Sequence, residues 1–80
     1  MAVVILITNG GRVQATYRGG EYIEVAFGTS EHPTEVINVF DYEAGKPVVA
    51  NTPKAVERLL LRWLKENNPG INVYETRLMA

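Results

Sequence analysis

The only histidine of the chain, His32, lies between two carboxylates in the segment Glu-His-Pro-Thr-Glu at residues 31–35. Imidazole and carboxylate groups serve as metal ligands and as general acids and bases, so this segment is the first place to look for chemistry. A metal site needs three or four convergent ligands held by a second layer of partners. One histidine and two glutamates in a loop do not provide this, and we expect a solvated loop here.

A hydrolytic triad is the next candidate, because Ser30, His32 and Asp41 supply the required residue types. Ser30 and His32 are only two residues apart, and no nucleophile-elbow pattern surrounds the serine. The chain contains no cysteine, which excludes a thiol nucleophile, a cysteine-based zinc site and a disulfide. An active site built on carboxylates would need a deep pocket, for which so short a chain leaves little room. We therefore predict no enzyme and no cofactor.

Two glycine pairs, Gly10-Gly11 and Gly19-Gly20, raise the question of a phosphate site. Neither pair matches a dinucleotide-binding or P-loop pattern, and neither leads into a predicted helix. Both pairs stand between apolar segments that alternate as strands do. Hairpin turns are the simpler explanation.

Charge is distributed unevenly along the chain. Residues 21–43 hold six carboxylates and no Lys or Arg, whereas residues 53–67 hold four basic residues and two acidic ones. The net charge of −1 names no class of partner by itself. A row of carboxylates on neighbouring strands would allow mimicry of a nucleic acid, but six over this length is a thin row. The basic block is the more informative feature.

The composition predicts one folded domain over residues 1–80, since 46% of the chain is apolar and 21% charged. The apolar run at residues 2–7 is too short for a signal peptide or a membrane span, and no basic residue precedes it. Small secreted domains are often stapled by disulfides, so the absence of cysteine favours the cytoplasm. No membrane partner is expected.

A continuous β-branched run predicts a well-buried strand at residues 3–8, and alternating apolar residues predict two further strands, at residues 12–17 and 21–27. Asn9-Gly10 predicts a type I′ hairpin between the first two strands. For the second hairpin we predict a three-residue loop at residues 18–20, which pairs Tyr17 with Glu21 and Ala15 with Ile23. This odd loop length places all six alternating apolar residues of the hairpin on one face.

The rest of the chain predicts a loop, a strand, a helix and a final strand. The loop covers residues 28–34, a fourth strand residues 35–42, a short extension residues 48–50, and a last strand residues 71–79. The helix runs from Pro53 to about Asn67, capped by Asn51 or Thr52. The predicted fold is α+β, a mostly antiparallel four- to five-stranded sheet with one amphipathic helix, in the order ββββαβ.

One face of the predicted helix is basic. Val56, Leu59, Leu60, Trp63 and Leu64 form an apolar stripe at helical spacing, and the basic residues fall on the opposite side. Leu61 lies off the apolar stripe beside them, and we expect it to be exposed. We call this surface the basic helix face; its residues are Lys54, Arg58, Leu61, Arg62 and Lys65.

The first strand is apolar on both sides, and one helix covers only one side of a sheet. The uncovered side therefore predicts either a curled sheet or pairing with a second copy or a partner. Because the core is small, we expect a homodimer. The four tyrosines, Tyr17, Tyr22, Tyr42 and Tyr74, are candidates for contact area, although packing within the fold is the commoner role.

The sequence thus favours a non-enzymatic protein-interaction module that acts through the basic helix face. Compact cysteine-free chains of this size are common among accessory and inhibitory proteins of phages and mobile elements, which is one form such a module takes. The alternative is a nucleic-acid-binding protein that uses the same basic residues. The acidic remainder of the chain and the lack of aromatic residues on that face count against this alternative.

Overall fold

A computed structural model describes residues 1–29 and 32–80, and it confirms the α+β class. A five-stranded antiparallel sheet is crossed by one helix, and a two-stranded ribbon lies beside them. Ser30 and Glu31, which belong to the triad and the metal segment considered above and not favoured, lie outside the described residues. The elements are β1 Ala2–Thr8, β2 Gly11–Tyr17, β3 Tyr22–Phe27, β4 Glu35–Asn38, β5 Phe40–Asp41, β6 Lys46–Pro47, α1 Pro53–Asn67 and β7 Val73–Met79.

The strand order of the sheet is β4-β3-β2-β1-β7, so the first strand lies inside the sheet and the last strand forms an edge. Val4 and Leu6 of β1 are fully buried under α1, whereas Val3, Ile5 and Ile7 are half-buried on the opposite side. This explains why β1 is apolar throughout. We call the side of the sheet away from α1 the open face.

The core lies between the sheet and α1, because both elements present their apolar side chains to this layer. Val56, Leu60 and Leu64 are the fully buried residues of the helix, one per turn. From the sheet and its connections come Ala2, Val4, Leu6, Val13, Ala15, Tyr17, Ile23, Val25 and Val39. Leu59, Leu61 and Trp63 pack partly buried around this cluster.

The helix begins and ends where local signals predict. The Thr52 side chain caps it, since the Ala55 backbone N–H donates to Thr52 Oγ1 at 3.3 Å. Pro53 occupies the first turn, where a missing N–H costs nothing. At the other end the backbone N–H of Asn68 donates to the Leu64 carbonyl at 2.7 Å.

The first hairpin has its predicted two-residue loop, with Thr8 opposite Gly11, but the predicted type I′ turn is wrong. Positive φ falls on Gly11 (109°), and neither Asn9 nor Gly10 adopts it. The Thr8 hydroxyl organises the turn: it accepts from the Gly10 N–H at 3.0 Å and donates to the Gly11 carbonyl at 2.8 Å. The Thr8 side chain therefore stabilises this turn without the two positive φ angles that an Asn-Gly turn usually has.

The predicted register of the second hairpin is also wrong. Tyr17 pairs with Ile23 and Ala15 with Val25, so the connection spans residues 18–22. The shift from the predicted register is two residues, and a shift of two keeps every side chain on its predicted face. Five of the six predicted apolar residues are accordingly buried, and only Phe27 is exposed, at 37%. The Tyr17 hydroxyl donates to the Gly20 carbonyl at 2.9 Å and supports the wider connection.

The predicted fourth strand divides at Val39. The N–H of Val39 donates to Glu21 O, and its carbonyl accepts from the Val48 N–H, each at 2.8 Å. Val39 is buried in the core, so the chain turns there and residues 40–41 pair with Lys46–Pro47 instead. Residues 48–50 form no strand.

Tyr17 supports a prediction about alkaline pH. Burial desolvates its phenol and raises the pKa above the ordinary value of 10.0. Since the folded state then holds the proton more tightly, this stabilisation is complete below about pH 10 and is lost as pH rises through the folded pKa. We expect Tyr17→Phe to cost about 1 kcal/mol at neutral pH through the lost hydrogen bond, and to flatten the alkaline loss of stability.

Urea unfolding followed by the fluorescence of Trp63 measures this at neutral pH and above about pH 10. Tyr74→Phe is the matched control, because Tyr74 is 69% exposed. If both variants lost stability with pH as steeply as the parent, the role given to Tyr17 would be wrong.

Candidate protein-binding face

Four basic side chains line the outer side of α1. Lys54, Arg58, Arg62 and Lys65 are all exposed, because the opposite side of the helix carries the buried residues. At 1.5 Å rise per residue, the row from Lys54 to Lys65 is about 16 Å long. The predicted clustering of positive charge is therefore present on one face.

Three of these cations have no ion-pair partner among the residues that the structure describes. Lys54 Nζ lies 3.9 Å from Glu57 Oε1, but the lysine side chain is 81% exposed and such a pair is weak. Within residues 1–29 and 32–80, Arg58, Arg62 and Lys65 make no ion pair. Their charge is available to an external anion.

We predicted that Leu61 is exposed beside the basic residues, and this prediction is wrong. Its side chain is half-buried and packs against the core cluster. Helical angle alone placed it outside the apolar stripe, but its contacts with the core cluster leave it only partly exposed. Any exposed apolar area beside the basic helix face therefore lies elsewhere.

That area lies on the other flank of the helix, in a shallow groove between α1 and the segment that precedes it. The groove has a volume of about 220 Å³. Val48, on its outer wall, is 69% exposed. We call it the α1 groove; its lining residues are Val48, Val49, Ala50, Ala55, Arg58, Leu59 and Arg62.

Local structure explains why the α1 groove forms. The Val48 N–H donates to the Val39 carbonyl at 2.8 Å, which anchors residues 48–50 to the core side of the fold. Val49 packs against the core, and the Thr52 cap then turns the chain into α1. The apolar segment is therefore held along the first turns of the helix. In the sequence, residues 48–50 are an apolar run, and we interpreted this run as a short strand extension.

A second, larger cavity lies on the open face. Its volume is about 400 Å³, and its lining includes Arg12 and Arg18. The polar groups there already have partners: Arg18 Nη1 lies 2.8 Å from Glu24 Oε1, and Arg12 Nη2 donates to Gln14 Oε1 at 2.7 Å. Because these cations are neutralised or bonded within the fold, this cavity is a weaker anion site than the α1 groove.

Of the residues first considered for chemistry, Ser30 and Glu31 lie outside the described residues, and the structure places His32, Glu35 and Asp41. His32 is exposed in the loop before β4. No group of three or more His, Asp or Glu in the described part of the chain is placed to hold a metal ion. Among the same residues, no helix has the length and apolar character needed to cross a membrane.

The four tyrosines occupy different environments. Tyr17 is buried in the core and Tyr74 is exposed on the edge strand β7. Tyr22 and Tyr42 meet near the ribbon, where a hydrogen bond to Tyr42 is the main cause that raises the pKa of Tyr22. Tyr42 Oη also donates to Glu21 Oε2 at 3.4 Å. The tyrosines therefore do not form one shared contact surface.

These features leave the α1 groove and its two arginines as the strongest candidate site on the described surface. Comparison of the chain with protein-family models, with curated proteins and with solved structures found no match.

Proposed function

We propose that the chain is a non-enzymatic protein-interaction module that binds an acidic segment of a partner protein in the α1 groove. The observation that carries the proposal is the position of Arg58 and Arg62. Both line an exposed apolar groove, and neither has an ion-pair partner among the described residues.

The chemistry of this surface suits a protein ligand. Protein interfaces combine an apolar centre with a polar rim, and arginine is enriched among the residues that contribute most to binding. Val48 and Leu59 supply the apolar part of the α1 groove, and the two guanidinium groups supply the rim. A guanidinium binds a carboxylate through two parallel hydrogen bonds, which favours Asp and Glu in the ligand.

The volume of the α1 groove limits the size of the ligand that it can bind. At about 220 Å³ it is smaller than the pockets that bury drug-sized molecules. It accommodates one or two side chains of a larger ligand. A short segment with an aliphatic or aromatic residue flanked by carboxylates matches both the apolar wall and the charge.

The test is selection of binders from a random peptide library on the immobilised protein. We expect the recovered peptides to be enriched in Asp and Glu around one large apolar residue, because only such peptides satisfy both parts of the groove. Recovery of peptides with no excess of acidic residues would contradict the proposal. Selection on the immobilised Arg58→Glu/Arg62→Glu variant serves as the control.

Nucleic-acid binding is the second candidate, supported by the row of four cations about 16 Å long. If all four neutralise phosphates, affinity for a short DNA duplex falls with salt at a log–log slope of about −3 to −4. Trp63, the aromatic residue of α1, is half-buried with its ring centroid 6.3 Å from that of Phe27, which makes it a poor platform for base stacking. Fluorescence anisotropy over a salt series distinguishes the two candidates.

A further inference from the structure

We propose that β7 is a dimerisation edge, at which a second copy of the chain adds its own β7 antiparallel about a two-fold axis through Thr76. This contact uses none of the α1 groove residues. Association and peptide binding are measured separately, so this proposal and the proposed function fail independently.

The first observation is the contrast between the two edges of the sheet. β4 is four residues long, whereas β7 has seven residues and contains no proline. Within the described residues, β7 pairs only with β1, so its other side presents unpaired backbone groups. Long unpaired edges without proline are templates for a further strand, and short edges are poor ones.

The second observation is that β7 is self-complementary in charge. When two copies of one strand pair antiparallel, the two-fold axis between them passes beside one central residue. Residues at equal distances on either side of that residue then lie opposite each other, and each such pair occurs twice. Within one chain Arg77 Nε lies 2.9 Å from Glu75 Oε2. With Thr76 at the centre, Glu75 of each copy lies opposite Arg77 of the other, so the contact joins two such pairs into a cluster of four alternating charges. Opposite charges and paired threonines facing each other across strands are both stabilising.

The neighbouring registers are disfavoured by the same rule. A two-fold axis at Glu75 places two carboxylates opposite each other, and an axis at Arg77 places two guanidinium groups opposite each other. Like charges directly across a strand pair are destabilising. Charge therefore selects Thr76 among the central positions of β7.

The regular part of the strand includes this centre. The pairing of β7 with β1 shifts register between Ile7 and Thr8, which are opposite Glu75 and Val73. From Glu75 to Met79 the pairing is regular, so Glu75, Thr76 and Arg77 of both copies lie in undistorted strand. The two five-stranded sheets would then form one continuous sheet with both helices on the same side.

The experiment is sedimentation velocity on the full chain over a concentration series, with Glu75→Arg, with Arg77→Glu and with both changes together. Each single change places like charges opposite each other twice, and we expect the dimer dissociation constant to rise at least about tenfold. The double change restores opposite charges and should restore dimerisation. Trp63 fluorescence verifies that each variant is folded.

Rescue by the double change is specific to this register. If the double variant associated no better than the single ones, or if the parent stayed monomeric up to about 1 mM, the proposal would be overturned. Single variants that dimerise as well as the parent would also overturn it, since the contact would then lie elsewhere.

A second variant tests the axis directly, because the chain has no cysteine of its own. Thr76→Cys should form a disulfide-linked dimer under mild oxidation, since a residue on the axis lies opposite its own copy. Val36→Cys, at an exposed position on the other edge strand β4, is the matched control and should stay largely monomeric. Equal cross-linking of both variants would count against β7 as the interface.

Discussion

Leu60→Ala is expected to lower the free energy of unfolding by about 2–5 kcal/mol. Leu60 is fully buried at the middle of α1, between Val56 and Leu64. Its loss leaves a cavity between the helix and the sheet that rigid strands cannot close. A domain of this length has a total stability of about 4–12 kcal/mol, so the variant retains a small margin or unfolds.

Chemical denaturation followed by circular dichroism measures this effect. Leu61→Ala is the matched control, because it removes the same atoms from the next residue of the same helix, where the side chain is only half-buried. We expect the control to lose clearly less stability than Leu60→Ala. Equal losses at both positions would show that the packing of α1 on the sheet differs from the one described.

Arg58→Glu/Arg62→Glu is expected to weaken binding of an acidic peptide by about 10- to 1000-fold. Each reversal removes a charge-assisted hydrogen bond and adds a repulsive charge, and these two effects together are worth about 1–2 kcal/mol per reversed residue near a surface. Fold stability should change little, because both side chains are exposed and make no ion pair with the described residues.

Calorimetric titration with a peptide recovered from the library measures the loss. Arg12→Glu/Arg18→Glu is the charge-matched control, since it changes the net charge equally on the open face of the sheet. If this control weakened binding as much as the groove variant, the effect would come from net charge, and the α1 groove would not be the site.

The helix could be predicted at both ends because its signals are local. Thr52 and Pro53 mark its start within two residues, and the Asn-Pro-Gly sequence after Asn67 ends it. Such signals depend on neighbours in sequence only. The alternation of β2 and β3 likewise predicted which of their side chains face the core.

The hairpin register could not be predicted, because it depends on a contact between a side chain and a loop. The three-residue and five-residue connections bury the same side chains, so the apolar pattern does not distinguish them. The hydrogen bond from Tyr17 to Gly20 and the positive φ of Gly19 (90°) accompany the longer connection. The break at Val39 has a similar origin, since its partners are Glu21 and Val48, both distant in sequence.

Half of the candidate site was visible in the sequence. The basic side chains share a helix face, which spacing alone predicts. The apolar half was assigned to Leu61, but it belongs to Val48 and Leu59 on the other flank. Locating it requires knowing where residues 48–50 lie against α1, and this depends on tertiary hydrogen bonds that no local pattern encodes.

Nuclear magnetic resonance mapping of an acidic peptide onto the isotopically labelled protein tests the central claim most directly. The account predicts that the largest amide shifts occur at Val48, Val49, Arg58, Leu59 and Arg62, and that they saturate with peptide concentration. Saturating shifts centred on Arg12 and Arg18 of the open face, with the α1 groove unchanged, would contradict it.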